Sequence, residues 1–265
     1  MKKKQTLKKR SLQVGALLIL AVIVIFFQVR GSSSKTTGTS ANVVTQDESG
    51  TVCPQTNGSS PRITHFKKAP VMCINTASNY SASVKTTAGT FVISLDAKQY
   101  PVTTNNFVFL SRYHFYNGLD FFRVIPGFVI QGGDPLNNGT GGPGYSFGGE
   151  YPKAGQYKLG TIAMANTGQP NSNGSQFFIT EQAYPSLDQH YTIFGQCDPD
   201  GVVVVKAIAR VNRDGNDKPI TPVVLNKVVI VPEGEPVPPL PAEPQAPATG
   251  AAPAAGVAPA TGTQQ

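Results

Sequence analysis

Four uncommon strings of residues hold most of the side chains that could do chemistry. They offer an arginine, glutamines, an asparagine and several phenylalanines, but no pair of groups suited to acid/base catalysis. This composition is typical of a site that binds a peptide by backbone hydrogen bonds and an apolar side-chain pocket, with one cation for electrostatics. The strings are Phe121–Asp134 (FFRVIPGFVIQGGD), Gly139–Gly144 (GTGGPG), Met164–Ile179 (MANTGQPNSNGSQFFI) and Leu187–Gly195 (LDQHYTIFG).

Other kinds of site find little support in the sequence. The histidines His65, His114 and His190 do not have the spacing of a metal site. The Gly-rich run Gly139–Gly149 lacks the Lys-Ser/Thr that follows in a phosphate-binding loop, and there is no G-x-S-x-G string. We therefore predict no metal and no cofactor, and interpret the Gly-rich run as a tight surface loop.

The positive charge of the chain is concentrated at one end. The sequence has 22 Lys and Arg against 15 Asp and Glu, a net charge of +7. Six of the basic residues lie in the first ten positions, so the other 255 positions are almost neutral. A nucleic-acid-binding protein needs a basic groove or stripe on its folded part, and the sequence does not support one.

The basic start is followed by an apolar run. Residues 1–11 form a basic region, and residues 12–29 (LQVGALLILAVIVIFFQV) would make a helix of about 27 Å, close to the hydrocarbon thickness of a bilayer. This pattern predicts a single-pass signal-anchor in the cell membrane, with its basic end cytoplasmic and the rest of the chain extracytoplasmic. The alternative is a cleaved signal peptide and a secreted protein.

Two further segments differ in composition from a folded domain. Residues 30–77 are interpreted as a linker, and residues 233–265 are rich in proline and alanine and are predicted to be disordered. The linker contains Cys53 and Cys73, which outside the cytoplasm either form a disulfide or remain two separate thiols. Cys197 is interpreted as a small buried apolar residue.

Between these segments the pattern predicts a mostly β domain over residues 78–232. Thr87-Ala88-Gly89 indicates a hairpin between strands Tyr80–Thr86 and Thr90–Leu95. Pro101–Tyr113 is predicted to be a helix capped by Thr103 or Thr104, and Val202–Val211 is either a strand or a second helix. Further strands are predicted at Leu119–Val124, Phe128–Gly132, Gly160–Ala165, Gln176–Thr180, Tyr191–Gly195 and Val223–Val231. About eight strands and two helices favour a closed β-barrel, because closure removes sheet edges.

The four strings, in this order, resemble the cyclophilin family of peptidyl-prolyl cis-trans isomerases. The resemblance covers roughly residues 78–232. It implies an all-β fold, a closed eight-stranded antiparallel barrel capped by two α-helices, with a shallow peptide groove on its outside. It also implies a monomeric enzyme that isomerises X–Pro bonds in proline-containing polypeptides and needs no cofactor; together with the membrane segment, this predicts a role in the folding of exported proteins. A scaffold that keeps the groove without turnover is the alternative, disfavoured because the arginine and the Gln/Phe set are all present.

The resemblance assigns roles to individual positions. Arg123 matches the catalytic arginine of the F-x-R-x-I-P-G-F string. Two positions depart from many eukaryotic members: Ser186 stands where they have Trp and Tyr191 where they have His, so strong cyclosporin binding is not expected. The substrate-binding positions are Phe128, Val129, Gln131, Gly139, Thr140, Ala165, Asn166, Thr167, Gln176, Phe178, Leu187 and Tyr191.

Overall fold

The computed structural model describes residues 52–232 of the chain. This part holds one nine-stranded antiparallel sheet and two α-helices. The elements are β1 Tyr80–Thr86, β2 Gly89–Leu95, α1 Pro101–Arg112, β3 Leu119–Asp120, β4 Arg123–Ile125, β5 Val129–Gly132, β6 Thr161–Met164, β7 Phe177–Thr180, β8 Ile193–Cys197, α2 Pro199–Ala209 and β9 Val224–Pro232, with a short 3-10 turn at Pro185–Leu187. The mostly β fold with two helices is confirmed.

The sheet has nine strands rather than the predicted eight. Its order is β3-β9-β1-β2-β8-β6-β7-β5-β4. The predicted strand Leu119–Val124 is divided, because β3 pairs with β9 whereas β4 pairs with β5. The two edge strands are separated only by Phe121 and Phe122, so the sheet must curl until its edges lie near each other. Within residues 52–232 no ladder joins β3 to β4, so the predicted closed barrel is not established by the hydrogen-bond pattern.

The hairpin that opens the domain forms where it was predicted. Thr86 pairs with Gly89 at the end of the β1–β2 ladder. The Thr86 hydroxyl donates to the Gly89 carbonyl at 2.8 Å and accepts from the Ala88 N–H at 3.0 Å. Gly89 has a φ of 140°, a conformation open to glycine and rare for other residues. The local turn chemistry therefore suffices to set this register.

Helix α1 is capped from a distance, not by Thr103 or Thr104 as predicted. Both threonines lie inside the first turn and are buried. The N-terminal N–H groups of Val102 and Thr103 donate instead to the two carboxylate oxygens of Glu150, at 3.1 and 2.8 Å. A carboxylate at this end also interacts favourably with the helix dipole. The cap escaped the sequence analysis because Glu150 is 47 residues away from Thr103.

The ambiguous segment at Val202–Val211 is helical. Helix α2 begins earlier, at Pro199, and its N-cap Asp198 accepts a hydrogen bond from the Gly201 N–H at 3.0 Å. An aspartate followed by proline at the first helical position is a strong start signal. Because this signal precedes the β-branched run, it outweighs the strand propensity of the valines.

The segment before β1 belongs to the folded domain instead of serving only as a linker. Phe66 is fully buried and its ring contacts those of Phe109 and Tyr113, with centroids 4.9 and 5.4 Å apart. Its N–H donates to the Pro143 carbonyl at 2.8 Å. Cys53 and Cys73 form a disulfide, which ties the two ends of this segment together.

Three of the predicted segments cannot be compared with this structure. The basic region 1–11, the membrane anchor 12–29 and the Pro/Ala-rich tail 233–265 lie outside the described residues. No helix within residues 52–232 combines the length and apolarity needed to cross a membrane.

Candidate active site

A groove of about 480 Å³ lies on the outside of the sheet. It runs along β4 and β5 and is bordered by the loop that contains Gly139. Eleven of the thirteen predicted site residues line it: Arg123, Phe128, Val129, Gln131, Gly139, Thr140, Ala165, Asn166, Phe178, Leu187 and Tyr191. The four strings, which are distant in sequence, therefore meet at one surface.

Arg123 lies on β4, directly opposite Gln131 of β5 in the antiparallel register. One terminal nitrogen of the guanidinium, Nη1, donates to Gln131 Oε1 at 3.5 Å. Its Nε lies 3.9 Å from the Oδ2 oxygen of Asp217, and the arginine side chain is one quarter exposed. The cation is thus held beside the groove while remaining accessible from it.

Gln131 is itself held by Gln176. Its Nε2 donates to Gln176 Oε1 at 3.1 Å. Gln176 Nε2 in turn donates to the carbonyls of Gly139 and Gly141, at 3.0 and 2.9 Å. Gln176 is not among the residues that line the groove, and its hydrogen bonds link the glycine loop to Gln131, the partner of Arg123.

An apolar pocket occupies the other part of the groove. Val129 and Phe178 are 3% and 6% exposed, which means that they form its floor and belong to the core at the same time. The ring of Tyr191 stands perpendicular to that of Phe178, with centroids 5.4 Å apart. Phe128 packs edge-on against Tyr184, at 4.9 Å. The aromatic contacts fix the walls of a pocket for a small apolar ring.

The glycine loop is shaped by a residue that the sequence analysis did not single out. The carboxylate of Asp134 is fully buried and accepts hydrogen bonds from the N–H groups of Leu136, Asn138 and Gly139, at 2.8, 3.1 and 2.5 Å. A Cβ atom at Gly141 would lie 2.0 Å from Asp134 Oδ1, so glycine is required there. Asp134 closes the string FFRVIPGFVIQGGD, and this was the available signal.

Asn166 and Thr167, both predicted to bind substrate, differ in their position relative to the groove. Asn166 lines it, but the side chain is engaged elsewhere: Nδ2 donates to the His190 carbonyl at 2.9 Å and Oδ1 accepts from the Gly168 N–H at 2.9 Å. These bonds hold the main chain of Asn166 at the groove. Thr167 lies in the exposed loop beyond, where its N–H donates to Ser172 Oγ at 3.2 Å, and it is not among the lining residues.

A loop late in the chain contributes residues that were not predicted. Asp214, Asn216 and Lys218 line the groove, as do Phe122, Asn137 and Asn138. The Asp217 carbonyl accepts from the Val124 N–H at 2.8 Å, which attaches the loop to β4. The sequence Asp214-Gly215-Asn216-Asp217 is a turn signal, but nothing local shows that this turn meets β4.

Charges in this loop are stabilised by the backbone. The N–H groups of Lys218 and Asn216 donate to Asp214 Oδ1 and hold the pKa of that carboxyl below its ordinary value. Burial raises the pKa of Asp120, and the nearby Lys218 opposes this effect. Within residues 52–232, His, Cys, Asp and Glu side chains form no group of three suited to a metal ion. The groove thus combines the cations of Arg123 and Lys218 and the carboxylate of Asp214 with amide side chains and an apolar pocket.

Comparison with known proteins identifies relatives of this fold and site. Residues 81–230 match the family model described as cyclophilin type peptidyl-prolyl cis-trans isomerase/CLD. The chain is 42% identical over 167 residues to peptidyl-prolyl cis-trans isomerase A of Mycobacterium tuberculosis, which covers 57% of this chain and 91% of the relative. It is also 42% identical over 167 residues to peptidyl-prolyl cis-trans isomerase B of Streptomyces anulatus, covering 56% of this chain and 95% of the relative.

Solved structures of the cyclophilin type also resemble this chain. A cyclophilin-type peptidyl-prolyl cis-trans isomerase of Cryptosporidium parvum superposes with a TM-score of 0.54 and 34% identity, covering 58% of this chain and 98% of the solved one. A second crystal structure of that protein, obtained in the presence of the dipeptide Ala-Pro, superposes with a TM-score of 0.54, 35% identity, and coverage of 57% and 98%.

Proposed function

The chain belongs to the cyclophilin-type peptidyl-prolyl cis-trans isomerase family and is an isomerase of X–Pro peptide bonds, and we propose that Arg123 is its catalytic residue. The observation that carries this proposal is the position of the guanidinium at the groove, beside the apolar side chains of Phe128, Val129, Phe178 and Leu187 that line it. The proposal thereby assigns the family's reaction to a specific side chain of this protein.

The reaction requires stabilisation of a twisted amide. Resonance across the C–N bond sets a barrier of about 18–20 kcal/mol, and at mid-rotation that resonance is lost. The proline nitrogen then becomes pyramidal and gains a lone pair. A guanidinium N–H from Arg123 donates to this nitrogen, an interaction that the planar ground states do not offer. Binding that is stronger in the transition state than in either planar form lowers the barrier in both directions.

The pocket holds one side of the rotating bond. Phe128, Val129, Phe178 and Leu187 surround the pyrrolidine ring, since all four line the groove. The ring is anchored by burial of its apolar surface while the carbonyl on the other side of the bond rotates. Fixing one half of the substrate in this way supplies orientation without chemical attack, so the mechanism involves no nucleophile.

The substrate backbone binds along the rim. Gln131 offers an amide beside Arg123, and the main chain of Asn166 offers the peptide groups of an extended segment. Gly139, Thr140 and Ala165 border the same path. Backbone contacts depend little on neighbouring side chains, so the proposed substrate is any accessible X–Pro segment of a polypeptide, with no specific client.

The test of the catalytic assignment is a protease-coupled isomerase assay on a proline peptide. Arg123→Ala should lower kcat/KM at least a hundredfold, because a preorganised donor to a developing charge contributes about 10²–10³ in rate. Arg62→Ala is the matched control, since Arg62 is an exposed arginine that donates to the Asn117 carbonyl at 3.0 Å, away from the groove. Equal turnover by the Arg123→Ala variant and wild type would refute the assignment.

We also propose that the domain works outside the cytoplasm, anchored by residues 12–29, on newly exported chains. The support is the basic residues before an apolar run of 18 residues, together with a disulfide, a bond typical of oxidising compartments. Protease added to intact cells should remove the domain, with a cytoplasmic marker protein left whole as the control. Protection of the domain until the cells are lysed would contradict the proposed location.

Two finer structural statements belong to the same proposal. We propose that the curled sheet closes as a barrel and that the protein is a monomer. The first is supported by the two residues that separate β3 from β4; nuclear Overhauser contacts between the backbones of β3 and β4 would support it, and their absence would contradict it. The second predicts a single-chain mass by light scattering in detergent, and a dimer mass would contradict it.

A further inference from the structure

The loop at residues 214–218 ends beside the cation of the active site. Oδ2 of Asp217 lies 3.9 Å from Arg123 Nε, while Arg213 Nε donates to its Oδ1 at 3.1 Å. The Asp217 carbonyl accepts from Val124, the residue that follows Arg123 on β4, at 2.8 Å. The backbone of Asp217 is therefore hydrogen-bonded to the strand that carries the arginine, and its carboxylate faces the guanidinium.

The loop is built so that this aspartate points in a fixed direction. Asp214 Oδ1 accepts from the N–H groups of Asn216 and Lys218, and the Asp214 N–H donates to the Lys218 carbonyl at 2.8 Å. Asp217 itself has a φ of 63°, in the left-handed region that aspartate, asparagine and glycine tolerate best. The turn thus places a carboxylate at one position on β4, with a backbone conformation that few other residues adopt.

Arg123 is held from two sides as a result. An arginine side chain loses rotational freedom when its guanidinium is fixed, and a single contact leaves the plane of the group free to turn. Gln131 accepts a hydrogen bond from Nη1, and the Asp217 carboxylate faces Nε as an ion pair at 3.9 Å, so two contacts at different atoms restrict the plane. The other terminal nitrogen, Nη2, is then directed at a fixed angle and is the atom that we assign to the substrate.

We propose that Asp217 is a positioning residue for the isomerase reaction and acts through Arg123. The inference rests on the role proposed above for that arginine. A carboxylate also has an opposing effect, because it reduces the charge that Arg123 offers to the proline nitrogen. At 3.9 Å and with 34% of the Asp217 side chain exposed, the contact is longer than a hydrogen bond and screened by water. Orientation therefore outweighs neutralisation.

The test compares Asp217→Asn in two backgrounds, using the full chain in detergent. Asparagine keeps the left-handed backbone and removes the charge, and Asp217→Gly keeps the backbone and removes the side chain. Nuclear magnetic resonance exchange spectroscopy on an Ala-Pro peptide gives the rate on the enzyme and the affinity separately. We expect both variants to lower the on-enzyme rate about fivefold to tenfold, with peptide affinity within twofold of wild type. Asp200→Asn, which removes an exposed charge at the start of α2, should change neither quantity.

The double variant identifies the route of the effect. If Asp217 acts through Arg123, adding Asp217→Asn to Arg123→Ala should cause no further loss of rate. An equal loss in both backgrounds, an unchanged rate in the single variant, or a faster rate would each overturn the proposal. Should Arg123→Ala itself retain full activity, the catalytic assignment fails instead, so the two failures are distinguishable. Thermal unfolding of each variant checks that the loop change leaves the fold intact.

Discussion

Removal of the Cys53–Cys73 disulfide is predicted to destabilise the domain without slowing the enzyme. The bond spans a sequence separation of 20 residues, and closing a loop of this length in the unfolded chain corresponds to about 3 kcal/mol in the entropy model. For a domain of about 180 residues, each kcal/mol shifts the melting temperature by about 2–4 °C, so the expected decrease is about 6–12 °C. Neither cysteine lines the groove, so kcat/KM below the melting temperature should stay within twofold of wild type.

The assay is urea unfolding of the Cys53→Ser/Cys73→Ser variant, followed by tyrosine fluorescence because the chain has nine tyrosines and no tryptophan. Reductant should destabilise wild type by the same amount and leave the variant unchanged, which makes the variant the control for the reducing agent. A loss below 1 kcal/mol would refute the loop-entropy argument. A parallel loss of isomerase activity would refute the claim that the segment before β1 supports the fold and not the groove.

Three further outcomes follow from the described contacts. Gln176→Ala should lower kcat/KM by up to about thirtyfold in the protease-coupled assay, because the Gly139 and Gly141 carbonyls lose their donor at about 1 kcal/mol each; unchanged kcat/KM would contradict the role of Gln176 in holding the glycine loop. Burial beside Asp198 raises the pKa of the Cys197 thiol to about 12, so iodoacetamide at pH 8 should alkylate it at least tenfold more slowly in folded than in urea-unfolded protein, and equal rates would be inconsistent with this. The lowered pKa of Asp214 means that its stabilising hydrogen bonds are present at neutral pH and lost as the pH falls through that pKa; Asp214→Asn should therefore lower the melting temperature more at pH 7 than at pH 2, and a decrease of equal size at both would argue against it.

The sequence contains enough local information to predict one part of the groove. Arg123, Phe128 and Gln131 stand in one continuous string, and a single antiparallel pair of strands brings the arginine opposite the glutamine. The β1–β2 hairpin was likewise predictable, since Thr86 and Gly89 form their turn from neighbouring residues. In both cases the structure is set by residues within about ten positions of each other.

What the sequence did not indicate depends on contacts between distant segments. Glu150 caps a helix 47 residues earlier, and Phe66 fills the core from a segment whose composition resembles a linker. Asp217 meets Arg123 only because the turn after α2 lies against β4. None of these contacts has a local signature. In a single sequence, a residue that is exposed to solvent cannot be told from one that contacts a distant segment.

Gln176 has contacts that the resemblance did not indicate. It was assigned to substrate binding, which stays a prediction, and the structure adds that its amide bonds to Gln131 and to two carbonyls of the glycine loop. Thr167 likewise lies beyond the rim of the groove. The resemblance located both residues in the correct part of the molecule, while the packing of the loop decided what each side chain contacts.

The most direct test of the central claim separates binding from isomerisation in Arg123→Ala. Exchange spectroscopy on a proline peptide bound to the full chain yields the affinity and the on-enzyme rate from one experiment. If the guanidinium acts on the twisted amide, the on-enzyme isomerisation rate should fall at least a hundredfold. The peptide affinity, which depends on the apolar pocket, should change less than fivefold. A hundredfold loss of affinity with an unchanged on-enzyme rate would show that Arg123 binds the ground state. That result would contradict the mechanism.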